Sequence, residues 1–472
     1  MSTTTLVWFR QDLRIQDNPA LHAASKAGAV LPVYILDEQH AGDWAMGAAS
    51  RWWLHHSLTA LDQSLGGQLQ VLAGDPLQLI PRLMQEHGIS AVYWNRCYEP
   101  RQMNRDRRLK KQLKDMGARV HSHNGCLVWD PWENLKRDQT PYRVFTPFYR
   151  NGLSIGAGTE QLLGEAPALQ LVNSTQPARK IDALDLLPTS QWYKDFNQHF
   201  VPGEAGATHK LEEFLKTRLD QYRQGRDFPG MEKVSRLSPH LHFGEISPQR
   251  VWQRANEAGD RSGSEAQAEH FQRELAWREF SHSLLYHFPE LVSANMNSRF
   301  DEFPWLDDTG LLTSWQRGET GYPLVDAGMR ELWTTGYMHN RVRMVVGSFL
   351  VKNLMQHWSH GARWFWDCLL DADLANNTCS WQWVAGCGAD AAPYFRIFNP
   401  ITQSEKFEAA SYIKRYVPEL AKLPDKIIHN PSAAPDQELE TAGVKLGRDY
   451  PEPIIDLKES RERALSAYKS MA

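Results

Sequence analysis

Residues 3–36 read TTTLVWFRQDLRIQDNPALHAASKAGAVLPVYIL. The first seven are a short apolar run that ends in the charged loop RQDLRIQDN, the pattern of a buried strand closed by a turn. Asn18 and Pro19 then open a helix, with proline at the first helical position, where its missing N–H costs nothing. VLPVYIL, residues 30–36, is a second strand. The alternation continues. RWWLHHSLTALDQSL (51–65) is an amphipathic helix, LQVLAG (69–74) a strand, PLQLIPRLMQEHG (76–88) a helix and SAVYWN (90–95) a strand. The basic helix RQMNRDRRLKKQLKDMG (101–117) and the strand RVHSHNG (119–125) follow. Strands separated by helices predict a parallel sheet with right-handed crossovers and a ligand at the carboxyl ends of the strands. Neither GxGxxG nor GxxxxGK[ST] occurs, so neither a dinucleotide fingerprint nor a P-loop is supported. In the basic helix, Leu109 and Leu113 fit a sheet-packed helix with a solvated face.

From Trp129 to Ala205 the alternation breaks, punctuated by Pro131, Pro141, Pro147, Pro167, Pro177, Pro188 and Pro202. This reads as a long surface connector, partly ordered by TPYRVFTPFYRNG. Beyond Gly206 helical periods dominate, as in HKLEEFLKTRLDQYRQ, EHFQRELAWREFSHSLLY, YPLVDAGMRELWTTG and MHNRVRMVVGSFLVKNLMQHW. The expected fold is an α/β parallel-sheet, Rossmann-like domain over 1–130, a linker over 131–205 and an all-α domain over 206–472.

Composition bounds the function. With 42% hydrophobic and 23% charged residues the class is soluble and globular, and no apolar run reaches the roughly 18 residues of a membrane span. The start lacks the order of a signal peptide, and five cysteines without a CxxC pair fit a reducing cytoplasm and no zinc site. A net charge of −4 excludes coating of nucleic acid by bulk charge but leaves a local basic face open. Eighteen tryptophans exceed what packing needs; core anchoring, stacking on rings and electron hopping are all open readings.

Four helical-domain segments carry candidate chemistry. In YRQGRDFPGMEKVSRLSPHLHFGEISPQ, Ser238-Pro239 and Ser247-Pro248 read as N-caps, and with Arg236 they suit a diphosphate or are ordinary helix starts. In RELAWREF, Glu274 and Trp277 share a face, and Arg278 lies four residues from Glu274 as its local ion-pair partner. In GYMHNRVRMVVGSFL, Asn340 and Met344 share a face flanked by Arg341 and Arg343. DADLANNTCSWQWVAGCGADAAPYFRIFNPITQSEKF is polar within an apolar stretch, which fits a ligand pocket. Asp371 and Asp373 there require partners if buried, such as Arg343 or a ligand with donors. No histidine has ligand spacing to them, so no metal is expected.

These residues closely resemble the photolyase/cryptochrome family, over nearly the whole length. The motifs are WFRQDLRIQDNPAL, SRLSPHLHFGEISP, WREF, TGYPLVDAGMRELWTTGYMHNRVRM and DADLANNTCSWQWVAGCGADAAPYFRIFNP. The resemblance implies an α/β antenna domain, a linker and a helical domain holding FAD, active as FADH⁻. It implies that Tyr222, Val234, Ser235, Arg236, Leu237 and Ser238 line the ribityl and diphosphate side. Phe271 stands where tryptophan is frequent. Arg278, Arg343, Asp371, Ala372 and Asp373 join the flavin site, with Asp371 paired to Arg343, and Asn377 faces the flavin N5. Trp381, Trp358 and Trp305 map onto the family's electron chain, from the flavin outward.

The resemblance further implies light-driven repair of cyclobutane pyrimidine dimers, closest to bacterial class I photolyases. The lesion flips out of the DNA between Trp277 and Trp383, Glu274 bonds its base, and Asn340 and Met344 contact the dimer. Arg226, Arg341 and Gln403 hold the DNA around it. Six-four photolyases place histidines where Asn340 and Met344 stand, and a cryptochrome-type light receptor would keep the flavin without the repair. A second chromophore is expected, methenyltetrahydrofolate ahead of deazaflavin, although YEPRQMN has Arg101-Gln102 where folate binders often show Asn-Glu. The expected partner is damaged DNA, single- or double-stranded. The expected state is a cytoplasmic, nucleoid-associated monomer without membrane contact.

Overall fold

The structure is a computed structural model that describes residues 4–39, 41–156, 162–164, 167–172 and 181–471. Strands β1 (Thr4–Phe9), β2 (Ala29–Leu36), β3 (Gln70–Ala73), β4 (Ala91–Asn95) and β5 (Arg119–His123) form one parallel sheet in the order β3-β2-β1-β4-β5. Helices α1 (Pro19–Ala27), α2 (Ala48–Ser64), α3 (Pro76–His87) and α4 (Pro100–Asp115) connect them. Period-two alternation splits β1, β2 and β4 between two cores. Leu6, Trp8, Leu31, Val33, Val92 and Trp94 pack on α3 and α4, where Leu109 and Leu113 are fully buried. Val7, Phe9, Val30, Tyr34 and Tyr93 pack on α1 and α2. The Asn18 side chain caps α1 by accepting from Leu21 N, as the sequence predicts.

The strand order reverses between β1 and β4, where such folds open a crevice. Here the loop RQDLRIQDN gives it polar walls, with Arg14 and Asp17 bordering a cavity of about 360 Å³ together with Arg96, His123 and Asp130. Asn95 Nδ2 donates to Asp12 Oδ2 at 2.6 Å and to Asn18 Oδ1 at 2.8 Å. The buried Arg14 donates to Gly125 O and to Gly244 O of the helical half, at 2.8 and 2.9 Å. At φ +65°, a Cβ on Gly244 would fall 2.0 Å from Gln11 O, so this contact admits only glycine. The loop thereby fixes the SRLSPHLHFGEISP segment against the sheet.

In the connector, helix α5 (Phe145–Ser154) packs on the helix Glu265–His287, and residues 170–172 clip onto β2 through Val30. Pro177 lies outside the described residues. No strand occurs in the helical half among the described residues, and no described helix is long and apolar enough to cross a membrane. One period reads differently from its pattern. The stretch 338–358 is not one helix: Asn340–Ser348 is α-helical, Phe349–Asn353 forms a π turn, and a new helix starts at Trp358. Met355 at φ +51° breaks the chain path, and the His357 side chain caps the new helix by accepting from Ser359 N. Trp8, Trp53, Trp94, Trp252, Trp315 and Trp358 are fully buried, so a good part of the tryptophan excess is core.

Candidate active site

A cavity of about 620 Å³ opens in the helical half. Five segments far apart in sequence build it. Residues 234–238, Tyr222 and Phe271, here called the floor, line it with Arg343, Asp371, Ala372, Asp373, Asn377 and Trp381, called the rear wall. Arg226, Glu274, Trp277, Arg278, Asn340, Arg341, Met344 and Trp383, called the mouth, line it too. Every predicted cofactor and lesion residue therefore meets one cavity. Gln403 does not line it; it sits on the helix Pro400–Lys406 beyond the lining. Trp358 and Trp305 do not line it either.

The two aspartates of the DAD segment are held differently. Arg343 grips Asp371 with two parallel bonds, at 3.1 and 2.9 Å, the strong fork geometry. Ser238 Oγ donates to the same carboxylate at 2.5 Å. Ser238 is therefore not the expected N-cap: it is the first helical residue, it makes no capping bond, and its hydroxyl bridges to Asp371 instead. Ser247 does cap its helix, accepting from Arg250 N at 3.1 Å. Asp373 caps the helix Leu374–Ala385 by accepting from Asn376 N at 2.8 Å. Its other oxygen lies 3.4 Å from His242 Nδ1 and 3.3 Å from His282 Nε2. Burial pushes this carboxyl up, but His282 and His242 outweigh it and hold it well below the ordinary range. Sequence reading found neither histidine; the only signal was their polarity within otherwise apolar helical faces.

Arg236 sits at φ +53°, a strained backbone for a non-glycine residue. Its guanidinium lies 5.0 Å from the Tyr337 ring, and Arg343 lies 5.2 Å from the same ring. Two cations on one tyrosine, with Ser235 and Ser238 beside them, form the anion-suited end of the cavity. The other lining is apolar, with Leu275, Leu284, Val384 and Phe365. The Asn377 amide is pinned by donating to Ala362 O at 2.9 Å. Cations and hydroxyls at one end, flat apolar walls and a fixed amide suit a dinucleotide carrying a large ring system.

At the mouth, Trp277 stacks flat on Phe145, with centroids 3.9 Å apart and planes at 7°. Glu274 does not pair with Arg278 as local spacing suggests. Arg278 pairs with Glu279 at 2.8 Å, and Glu274 accepts from Arg226 at 2.8 Å. Burial raises the Glu274 carboxyl above its ordinary value, and Arg226 pulls against that rise. Asn340 and Met344 meet at 3.9 Å, nitrogen to sulfur. Arg396 lines the mouth and its neighbour Phe395 is 64% exposed; the sequence reading passed over both.

Trp381 reaches the cavity from the helix Leu374–Ala385 and packs against Phe365 at 5.0 Å. A Cβ on Gly361 would strike its ring at 2.1 Å, so glycine lets the indole lie on the helix that Trp358 begins. Trp358 donates its indole N–H to Asn295 Oδ1 at 2.8 Å. The His357 ring stands next to both Trp358 and Trp305, at 5.3 and 5.2 Å.

A parallel-sheet domain docked on a helical domain, whose cavity joins an anion-suited end to an aromatic mouth, defines an enzyme built around a nucleotide cofactor with an open substrate side. The family described as DNA photolyase matches residues 5–168, and the FAD binding domain of DNA photolyase matches residues 271–470. A deoxyribodipyrimidine photo-lyase of Agrobacterium fabrum is 48% identical over 99% of this chain and 98% of its own. Cryptochrome-2 of Arabidopsis thaliana is 38% identical over 98% of this chain and 78% of its own. The crystal structure of a bacterial class III photolyase from Agrobacterium tumefaciens superposes with a TM-score of 0.95 at 46% identity, covering 100% and 98% of the two chains. The chain belongs to the DNA photolyase/cryptochrome family. Its α/β and helical architecture is that family's, and its helical half is the FAD-binding domain. Within the family, the motifs pointed toward class I, and this structural neighbour is a class III member.

Proposed function

We propose that this photo-lyase repairs cyclobutane pyrimidine dimers in DNA by light-driven electron transfer from reduced FAD to a lesion flipped into the cavity. The observation that carries the reading is one cavity with two ends. The anion-suited floor, with Arg236, Ser235 and Ser238, suits the FAD diphosphate, and the Glu274–Trp277 mouth stands at the substrate side. The chemistry that FAD supplies when bound is light absorption and the loan of one electron, after which the cyclobutane ring opens.

The chain's own residues do the rest. Flipping costs a few kcal/mol, and less for a poorly stacked lesion. Trp277, held flat by Phe145, and Trp383 wall the flipped dimer. Glu274, with its proton affinity raised by burial, bonds the lesion base and stabilises negative charge arriving there. Asn340 and Met344 contact the dimer without offering the proton donor that histidines supply in six-four photolyases. Arg226 and Arg341 meet the flanking phosphates, and Gln403, outside the cavity, meets the strand. Trp381, Trp358 and Trp305 carry an electron inward from the surface and keep the flavin reduced, on a path separate from repair. A second chromophore, methenyltetrahydrofolate ahead of deazaflavin, completes the reading; mass analysis of the released pigment identifies it, and deazaflavin would overturn that choice. The partner is damaged DNA, single- or double-stranded, and the working unit is a monomer.

The test is recovery of the thymine absorbance band. Pre-reduced protein with dimer-containing oligothymidine should restore it under blue light and leave six-four lesions untouched. No recovery with the flavin reduced would overturn the proposal.

A further inference from the structure

The two arginines assigned to DNA phosphates are both ion-paired within the protein. Arg226 holds Glu274, and Arg341 pairs with Asp227, the residue that follows Arg226 in the chain. The dipeptide Arg226-Asp227 therefore clamps two walls of the mouth at once, one through the helix Glu265–His287 and one through the helix Asn340–Ser348. Three contacts fix the Arg341 guanidinium: the Asp227 carboxylate, the Phe407 ring at 4.5 Å and the Met344 sulfur at 3.6 Å. The Arg341 side chain is 15% exposed and that of Asp227 is 36% exposed, so the carboxylate is the partner that meets solvent.

We propose that Asp227 acts as a built-in competitor for DNA phosphate at Arg341 and so sets the preference for lesion-containing over undamaged DNA. The inference rests on the proposed reading of this mouth as the DNA face. A carboxylate and a phosphate oxygen offer a guanidinium the same planar, charge-assisted bonds. A phosphate arriving at Arg341 must therefore displace a partner already in place. Undamaged duplex offers phosphates and nothing for the cavity, so the exchange cancels most of its gain. A dimer held inside the cavity by Trp277 and Glu274 fixes its flanking phosphate beside Arg341, so the exchange costs the lesion complex less than it costs undamaged duplex. Specificity is a difference of affinities, and a residue that weakens the wrong complex more than the right one creates it. Where Asp227 keeps Arg341 from a phosphate, no cation leaves the DNA for that contact, which flattens the salt dependence of binding.

The test compares holoenzyme variants on undamaged and dimer-containing duplexes over a salt series. Asp227→Asn should tighten undamaged binding about tenfold, an arginine–phosphate contact's worth, and steepen log K against log salt by about one unit. The lesion-to-undamaged ratio should fall. Asp227→Glu should restore wild-type values, and flavin content reports folding in each variant. Glu408→Gln, next to Phe407, removes a rim charge without touching the pair; if it matches Asp227→Asn, general charge explains the effect and the proposal fails. Unchanged affinity and slope in Asp227→Asn, while Arg341→Gln weakens DNA binding, would also defeat it and leave the proposed function standing. If Arg341→Gln leaves DNA binding unaltered, the reading of the mouth as the DNA face falls as well.

Discussion

His339 precedes the helix that carries Asn340, Arg341 and Met344, and it should make the mouth acid-sensitive. The ring is 4% exposed. Its Nε2–H donates to Gly225 O at 2.8 Å and its Nδ1 accepts from Arg341 N at 3.3 Å, so the neutral ring satisfies both nitrogens. A second proton has no acceptor there. Burial, with Arg236, Arg226 and Arg341 close by, lowers its pKa from 6.5 to about 4. The unfolded chain takes up a proton near pH 6.5, and the folded protein refuses it until about pH 4. The stabilisation is therefore complete above pH 6.5 and is lost as pH falls from there to 4. The whole shift is worth about 3 kcal/mol, at 1.36 kcal/mol per unit, and about 2 kcal/mol of it is gone by pH 5. His339→Gln keeps a donor toward Gly225 and removes the titration. It also loses the helix cap, at about 1 kcal/mol at every pH. Urea unfolding of both proteins, followed by tryptophan fluorescence, should show the variant less stable at pH 7. At pH 5 the difference should shrink by about 2 kcal/mol or reverse. A difference equal at the two pH values would refute the reasoning, because other carboxylates titrate alike in both proteins.

Three further outcomes are expected. Trp381→Phe should slow photoreduction of the flavin while leaving repair by pre-reduced enzyme largely intact; joint loss of both would contradict the separate path. Gly361→Ala drives a methyl group into the Trp381 ring and should cost about 1–3 kcal/mol of stability, read as a lower urea midpoint, with photoreduction slowed more than repair. Glu274→Ala should lower the repair yield more than flavin content, and it also frees Arg226; an unchanged yield removes Glu274 from the mechanism.

The sheet was legible because parallel strands buried on both faces read as apolar runs, and because caps such as Asn18 and Ser247 lie within three residues of what they bind. The cavity was not legible in that way. Local spacing offered Arg278 to Glu274, yet the true partner, Arg226, lies 48 positions away. The helical period through 338–358 continues across Met355, where the backbone turns left-handed and no apolar position changes. Ser238 looked like a cap because Ser-Pro usually is one, and the structure gives its hydroxyl to a carboxylate 133 positions on. Roles at the floor and rear wall came from family motifs, and those motifs carry the geometry that periodicity cannot.

The DAD segment shows how one motif meets two different demands. Asp371 and Asp373 are two residues apart, with side chains 6% and 5% exposed, and a lone buried carboxylate would cost far more than the fold can supply. At Asp371 the partner is a guanidinium, which keeps its charge at any working pH, and a serine hydroxyl fills the remaining acceptor site. That pair borders the floor of the cavity, where a fixed charge balance is needed for an anionic ligand. At Asp373 the partners are two imidazoles, His242 and His282, which hold its carboxyl well below the ordinary range, and Glu99 of the α/β half adds a second acid whose carboxyl burial pushes up and Asp373 raises further. The two carboxylates of one helix start are thus satisfied by different chemistry: a guanidinium and a hydroxyl at Asp371, and two imidazoles beside the α/β half's Glu99 at Asp373.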